Sequence, residues 1–193
     1  MQRSRKLVVC SAVLGGSLVF YGCSSNSGNS TATAPEPNAT GSANRAKLSS
    51  AEGDFVQRAA MDSRAEVELG NVAQQNASSD AVKQFGQRMV QDHSKASKEL
   101  ERLVSKKGIA LSKTVDEEQR TDAVKFSKLS GPNFDRAYMR EMVDDHKKTL
   151  EEFQGQADSA QDPDVRAFAM NSLPNLQDHL RQAQEVMRSL RKK

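Results

Sequence analysis

The chain is predicted to be all-α, a four-helix bundle with a short extra helix in a long connection between the second and third long helices. Three observations predict this. Four long stretches space their apolar residues as a helix buried on one side does. Each opens on a helix-start phrase: Ser49-Ser50-Ala51-Glu52, Ser78-Ser79, Gly131-Pro132-Asn133 or Asp162-Pro163. No segment alternates as a strand would, and aromatic residues are few.

The first helix is expected from the capping box at Ser49–Glu52 to about Asn76, with Phe55, Ala59, Leu69 and Ala73 inward. The second runs from Ser78-Ser79 to before Gly108 and turns Val82, Phe85, Met89, Ala96, Leu100 and Leu103 inward. Residues 108–132 connect it to the next and contain a short helix, Asp116 to Lys128. That connection is long enough to run the length of the bundle, so one long crossover and a simple up-and-down order both remain open. The third long helix carries Phe134, Tyr138, Met142, Leu150 and Phe153. The fourth carries Val165, Phe168, Ala169, Leu176, Ala183, Val186 and Leu190. Pro174 within it is expected to kink it, because the carbonyl of Met170 loses its usual N–H donor.

The bundle domain is assigned to residues 48–193 and two segments precede it. Residues 1–22 read as a signal peptide: a basic start at Arg3, Arg5 and Lys6, then an apolar run from Leu7 to Phe20, too short to span a membrane comfortably. Gly22-Cys23 followed by Ser24-Ser25 resembles a bacterial lipoprotein signal, although Phe20 and Tyr21 replace the usual Leu and small residue. The resemblance implies cleavage before Cys23, which becomes the lipid anchor, and Ser24 in second place implies the outer membrane, facing the periplasm. Ordinary secretion into the periplasm is the alternative. Cysteine usage supports the anchor: Cys10 leaves with the signal, and the lone Cys23 has no disulfide partner. Residues 23–47, rich in Ser, Asn, Thr, Ala and Gly, read as a flexible polar tether.

Removing the signal removes the net charge of +3 with it, leaving 25 basic and 25 acidic residues. Such a balance gives no reason to expect nucleic acid as a partner; the expected partner is the membrane, through the N-terminal lipid. No cysteine follows Cys23, and no Gly-x-Ser-x-Gly or P-loop phrase occurs, which speaks against nucleophilic catalysis. An enzyme is therefore not the favoured expectation.

All three histidines occur in one phrase, an apolar residue, any residue, then Asp-His: Val90 to His93, Val143 to His146 and Leu176 to His179. The first two belong to a repeat, Met89 to Leu100 against Met142 to Phe153, identical at six of twelve positions. Leu100, Phe153 and Val186 stand seven residues after the histidines, so each imidazole lies on an apolar stripe. The first helix offers Glu66 instead, with Leu69 and Ala73 on its face. Counted from the turns, all four groups lie near mid-bundle, one per long helix.

A single-metal site from Glu66, His93, His146 and His179 is therefore one expectation, with Zn, Fe, Mn or Cu as candidate ions. Met89 and Met142, four residues before their histidines, suit Cu(I) as a variant and core filling as the simpler role. The alternative is a buried hydrogen-bond network that fixes helix register, or senses pH, with no metal. Asp92, Asp145 and Asp178 cannot readily orient the histidine beside them, since helix neighbours point about 100° apart. They face a histidine on another helix or sit on the polar rim. A third possibility is an interaction module, although no long apolar patch stands outside the core.

The phrases Ala65 to Gly70, Met89 to His93, Gly131 to Tyr138, Met142 to His146 and Leu173 to Leu180 resemble those of the bacterial family called domain of unknown function 4142. The resemblance covers about residues 50–190. It implies a ferritin-like four-helix bundle, exported and often described as an outer-membrane protein, and supplies no activity. Di-iron ferritin-like proteins use Glu-x-x-His pairs, whereas Val90, Val143 and Leu176 stand three before these histidines, which argues against a carboxylate-bridged di-iron centre.

Overall fold

The computed structural model describes residues 47–114 and 117–191. The signal, Cys23 and all of the tether but its last residue lie outside the described residues. Five helices and no strand are present among those described: α1 (Ser50–Asn76), α2 (Asp80–Ser105), α3 (Glu117–Ser127), α4 (Gly131–Ser159) and α5 (Pro163–Leu190). The fold is the all-α bundle expected, with α3 in the long connection.

Two antiparallel hairpins, α1–α2 and α4–α5, are each closely packed within and touch one another more loosely. Polar contacts fix the direction of every element. Gln57 Nε2 donates to the Ala110 carbonyl (2.7 Å), Gln119 Nε2 to Asp62 Oδ1 (2.6 Å) and Asn76 Nδ2 to the Leu129 carbonyl (2.8 Å). The connection thus climbs beside α1 from its first turns to its last. α4 then starts at the α1–α2 turn and runs parallel to α2, so the order is the single long crossover of ferritin-like bundles, and the up-and-down order is excluded.

The capping box at the start of α1 forms as expected, with Ser49 N–H donating to Glu52 Oε2 at 2.9 Å. Glu52 reaches further. Its Oε1 accepts the backbone N–H groups of Gln161 (2.8 Å) and Asp162 (2.7 Å), binding the α4–α5 turn to α1. Asp162 caps α5 and takes the Lys107 ammonium at 2.6 Å, which ties in the end of α2. These bonds hold the Glu52 carboxyl at a pKa of about 2, the N–H of Asp162 counting most and outweighing burial.

The opposite end differs from expectation in one detail. Ser79 is the N-cap of α2 but makes no side-chain capping bond. Asp135, buried on α4, accepts the N–H groups of Ser78 and Ser79 (3.0 Å each) and the Ser78 hydroxyl (2.6 Å) instead. A carboxylate from the neighbouring hairpin is a stronger acceptor than the local hydroxyl.

The stripes are placed as the spacing predicts, apart from Ala96, Leu150 and Leu190, which are only partly buried. α5 continues through Pro174. The core falls into two apolar clusters. One gathers Leu69, Phe85, Met89, Phe134, Tyr138 and Met142. The other gathers Phe55, Leu100, Phe153, Val165, Phe168 and Leu176. Between them every long helix buries polar groups: Ser63 and Glu66 on α1, His93 on α2, His146 on α4 and His179 on α5. Next to this layer α1 and α2 approach through Gly70 and Gly86. A Cβ on Gly70 would stand 2.6 Å from the Gly86 carbonyl oxygen, so backbone contact here requires glycine.

Candidate metal centre

His93, His146 and His179 enter from α2, α4 and α5, each held at depth by the apolar residues of its stripe. Their ring centroids lie 5.3 to 6.0 Å apart, and one nitrogen from each ring lies within 4.8 Å of the other two. All three are buried, His179 to 1% exposure.

Neighbouring groups decide which nitrogen of two rings faces the centre. His146 Nδ1 is 2.9 Å from the carbonyl of Met142, one turn earlier; a carbonyl only accepts, so Nδ1 carries the hydrogen and Nε2 is bare. His179 Nε2 is 2.8 Å from Asp92 Oδ2 on α2. Burial works to raise the Asp92 pKa, but hydrogen bonds from His179 and Arg88 outweigh it and keep the group ionised. His179 Nε2 must then donate, and in a neutral ring its Nδ1 is bare. These two bare atoms, His146 Nε2 and His179 Nδ1, face each other at 3.3 Å.

Neutrality follows from burial. It pushes His93 down to about 3 and His146 down to about 4, and it lowers His179 against the pull of Asp92. His93 Nε2 is buried with no hydrogen-bond partner among the described residues. Three neutral imidazoles are thus gathered with more lone pairs than donors between them.

Arg88 closes the α2–α5 side, its Nε 3.2 Å from Asp92 and its Nη1 2.7 Å from Asp178. Of the three aspartates preceding histidines, Asp92 serves a histidine on another helix. Asp178 lies at the rim with Arg88 and Arg181, and Asp145 is 3.5 Å from Lys148. Sequence reasoning left the Asp92 role undecided and missed Arg88; its spacing of four before Asp92 was the available signal.

Glu66 stands beside the three histidines rather than among their converging atoms. It is buried at the right height, but it is outside the group of converging nitrogens. Its Oε1 stands 3.9 Å from His146 Nδ1, the nitrogen already committed to Met142, and its Oε2 has no hydrogen-bond partner among the described residues. Burial, then the charges of Asp145, Asp62 and Glu141, raise its pKa to about 8, so it is protonated near neutral pH. Apolar spacing shows that a residue points inward; it does not show on which side of a neighbouring ring it arrives. Met89 and Met142 sit fully buried in the apolar cluster beside the layer, in the core-filling role.

A cavity of about 810 Å³ opens against the layer and is lined by Glu66 and all three histidines. A centre with three imidazoles and an open side leaves a fourth position for water or another ligand.

Fold and layer together define a class: a crossover four-helix bundle with three imidazoles converging in its core. A family profile described as Domain of unknown function (DUF4142) matches residues 37–186, and the chain belongs to that family. A crystal structure of a DUF305 fragment from Deinococcus radiodurans is similar in fold, with a TM-score of 0.65 and 14% identity, covering 73% of this chain and 97% of that one. No curated protein matches the chain.

Proposed function

We propose that His93, His146 and His179 hold one transition-metal ion, Zn, Fe, Mn or Cu, in an exported protein tethered to the outer membrane through a lipid on Cys23. The metal reading is carried by the two bare nitrogens of His146 and His179 at 3.3 Å. Lone pairs at that distance repel unless a cation lies between them. Two imidazole nitrogens bound tetrahedrally at about 2.0–2.1 Å are separated by roughly 3.3–3.4 Å, the spacing found. Asp92 and the Met142 carbonyl act as outer partners that set each ring's tautomer, as partners of metal-bound histidines usually do. Glu66 acts as a neighbour of the centre rather than a ligand.

Elemental analysis of the untagged protein beside a His93→Ala/His146→Ala variant tests this. Near-stoichiometric metal in the wild type alone supports it. No metal in either, after reconstitution with Zn, Fe, Mn and Cu, overturns it.

A second reading has one observation in its favour: Asp92, His179, His146 and the Met142 carbonyl form an unbroken series of hydrogen-bonding distances. A proton between the two rings would make this a structural network in an envelope module without metal. The unpartnered His93 Nε2 fits the metal reading better. The anchor has its own test: Cys23→Ala moves the protein from the membrane fraction to the soluble periplasm, and unchanged membrane retention counts against it.

A further inference from the structure

The cavity that the histidines line also gathers acidic side chains from several helices. Eight carboxyl groups, the protonated Glu66 among them, line the cavity against two lysines, Lys95 and Lys148. Six of the eight come from α1, α3 and α4: Asp62, Glu66, Asp122, Glu141, Asp145 and Glu152, the last paired with Arg58. Asp62 and Glu66 are four apart on α1, and Glu141 and Asp145 four apart on α4, so each pair shares one helix face. Asp122 is supplied by α3, the helix of the crossover. Local partners offset part of this charge: Gln119 donates to Asp62, and Lys148 stands 3.5 Å from Asp145.

Two further atoms on the same cavity point to a ligand. Glu66 Oε2 and His93 Nε2 are both buried, and both lack a hydrogen-bond partner among the described residues. The first belongs to the carboxylate wall and the second to the imidazole layer, so the unpaired groups lead from one to the other.

Among the described residues only the three imidazoles bring three donor atoms within 4.8 Å. The carboxylates stand too far apart to strip a cation of its water. They suit a cation that keeps most of its hydration and is held by one or two direct carboxylates.

We propose that this carboxylate wall is a loading site that takes a hydrated divalent cation and delivers it to the three imidazoles. The proposal rests on the metal reading of the triad and adds a second, transient position with oxygen chemistry. Oxygen donors accept hard and borderline ions alike, whereas imidazoles retain the borderline ones, so selection occurs at the second step. A cleft lined by one sign of charge raises the arrival rate of the opposite ion by about 10- to 1,000-fold, and salt screens the effect.

The test is stopped-flow loading of Co2+ into the metal-free full chain, followed by the visible bands of imidazole-bound Co2+. Glu141→Gln/Asp145→Asn is expected to load at least about ten-fold more slowly at low ionic strength, with a weakened salt dependence and an unchanged final spectrum. In the wild type, millimolar Mg2+ is expected to slow loading more than NaCl of equal ionic strength. That second measurement needs no variant and stands if the variant folds poorly. Wild-type bands with equal rates in both proteins, or Mg2+ acting no differently from NaCl, overturn the loading site and leave the triad intact. A changed final spectrum overturns it too, since the carboxylates would then shape the final site. Absence of bands in the wild type overturns the triad itself.

Discussion

Two buried polar regions of this bundle follow opposite rules. At the end where α1 meets the α4–α5 turn, Glu52 and Asp162 are almost wholly buried and richly bonded: Glu52 takes N–H groups from Ser49, Gln161 and Asp162, and Asp162 takes two N–H groups and the Lys107 ammonium. In the central layer, Glu66 Oε2 and His93 Nε2 have no hydrogen-bond partner among the described residues, and two histidine nitrogens meet lone pair to lone pair. Burial is similar; satisfaction is not. A satisfied buried network stabilises a fold, while an unsatisfied one costs stability and is kept for what it binds.

The largest expected effect breaks the well-bonded end. Glu52→Ala strands the buried N–H of Asp162, at about 1–3 kcal/mol, and loosens the part-buried N–H of Gln161, so stability from thermal melts should fall by roughly 3 kcal/mol in total. The same carboxylate sets a pH window. Its folded pKa of about 2 lies below the ordinary 4.5, so its stabilisation is complete above 4.5 and is lost as pH falls from there toward 2. Glu52→Gln should flatten denaturant stability across that window; an unchanged slope would remove Glu52 from the account.

Metal comes next and, on the proposed reading, acts only on the centre. At one hundred times its Kd, an ion that binds only the folded state adds about 2.7 kcal/mol, read as a rise of several degrees in Tm that His93→Ala abolishes. Asp92→Asn keeps an acceptor for His179 but loses the charge behind it. Metal affinity should weaken at least about ten-fold, near 1.4 kcal/mol, by titration with Zn2+. The smallest effect has the reverse sign. His93→Leu in the metal-free protein replaces an unsatisfied buried group by an apolar one, and stability should hold or rise by about 1 kcal/mol. A loss of several kcal/mol there would make the centre a structural network like the end.

Helix positions and the convergence of three histidines were legible in the sequence because both follow from a 3.6-residue period and from caps that act locally, as with Ser49 and Glu52. What the period does not carry is the identity of neighbours across the bundle. Asp92 meets His179 because α2 lies beside α5, which depends on the direction of the crossover, and a connection of that length fits two directions. Asp135 capping α2 is the same kind of fact. Glu66 is of this kind too: it reaches His146 on the Nδ1 side, at 3.9 Å, and residue counting does not resolve the side of a ring.

The division of the three histidines between the hairpins bears on the order of assembly. His146 and His179 face each other within one hairpin, so half of the centre exists once α4 and α5 have closed a short local turn. His93 belongs to the other hairpin and arrives only when α1–α2 has docked, a non-local event that follows the slower entropy of closing a long loop. The centre is therefore finished last, and a chain able to hold an ion tightly with three imidazoles is a chain whose folding is complete.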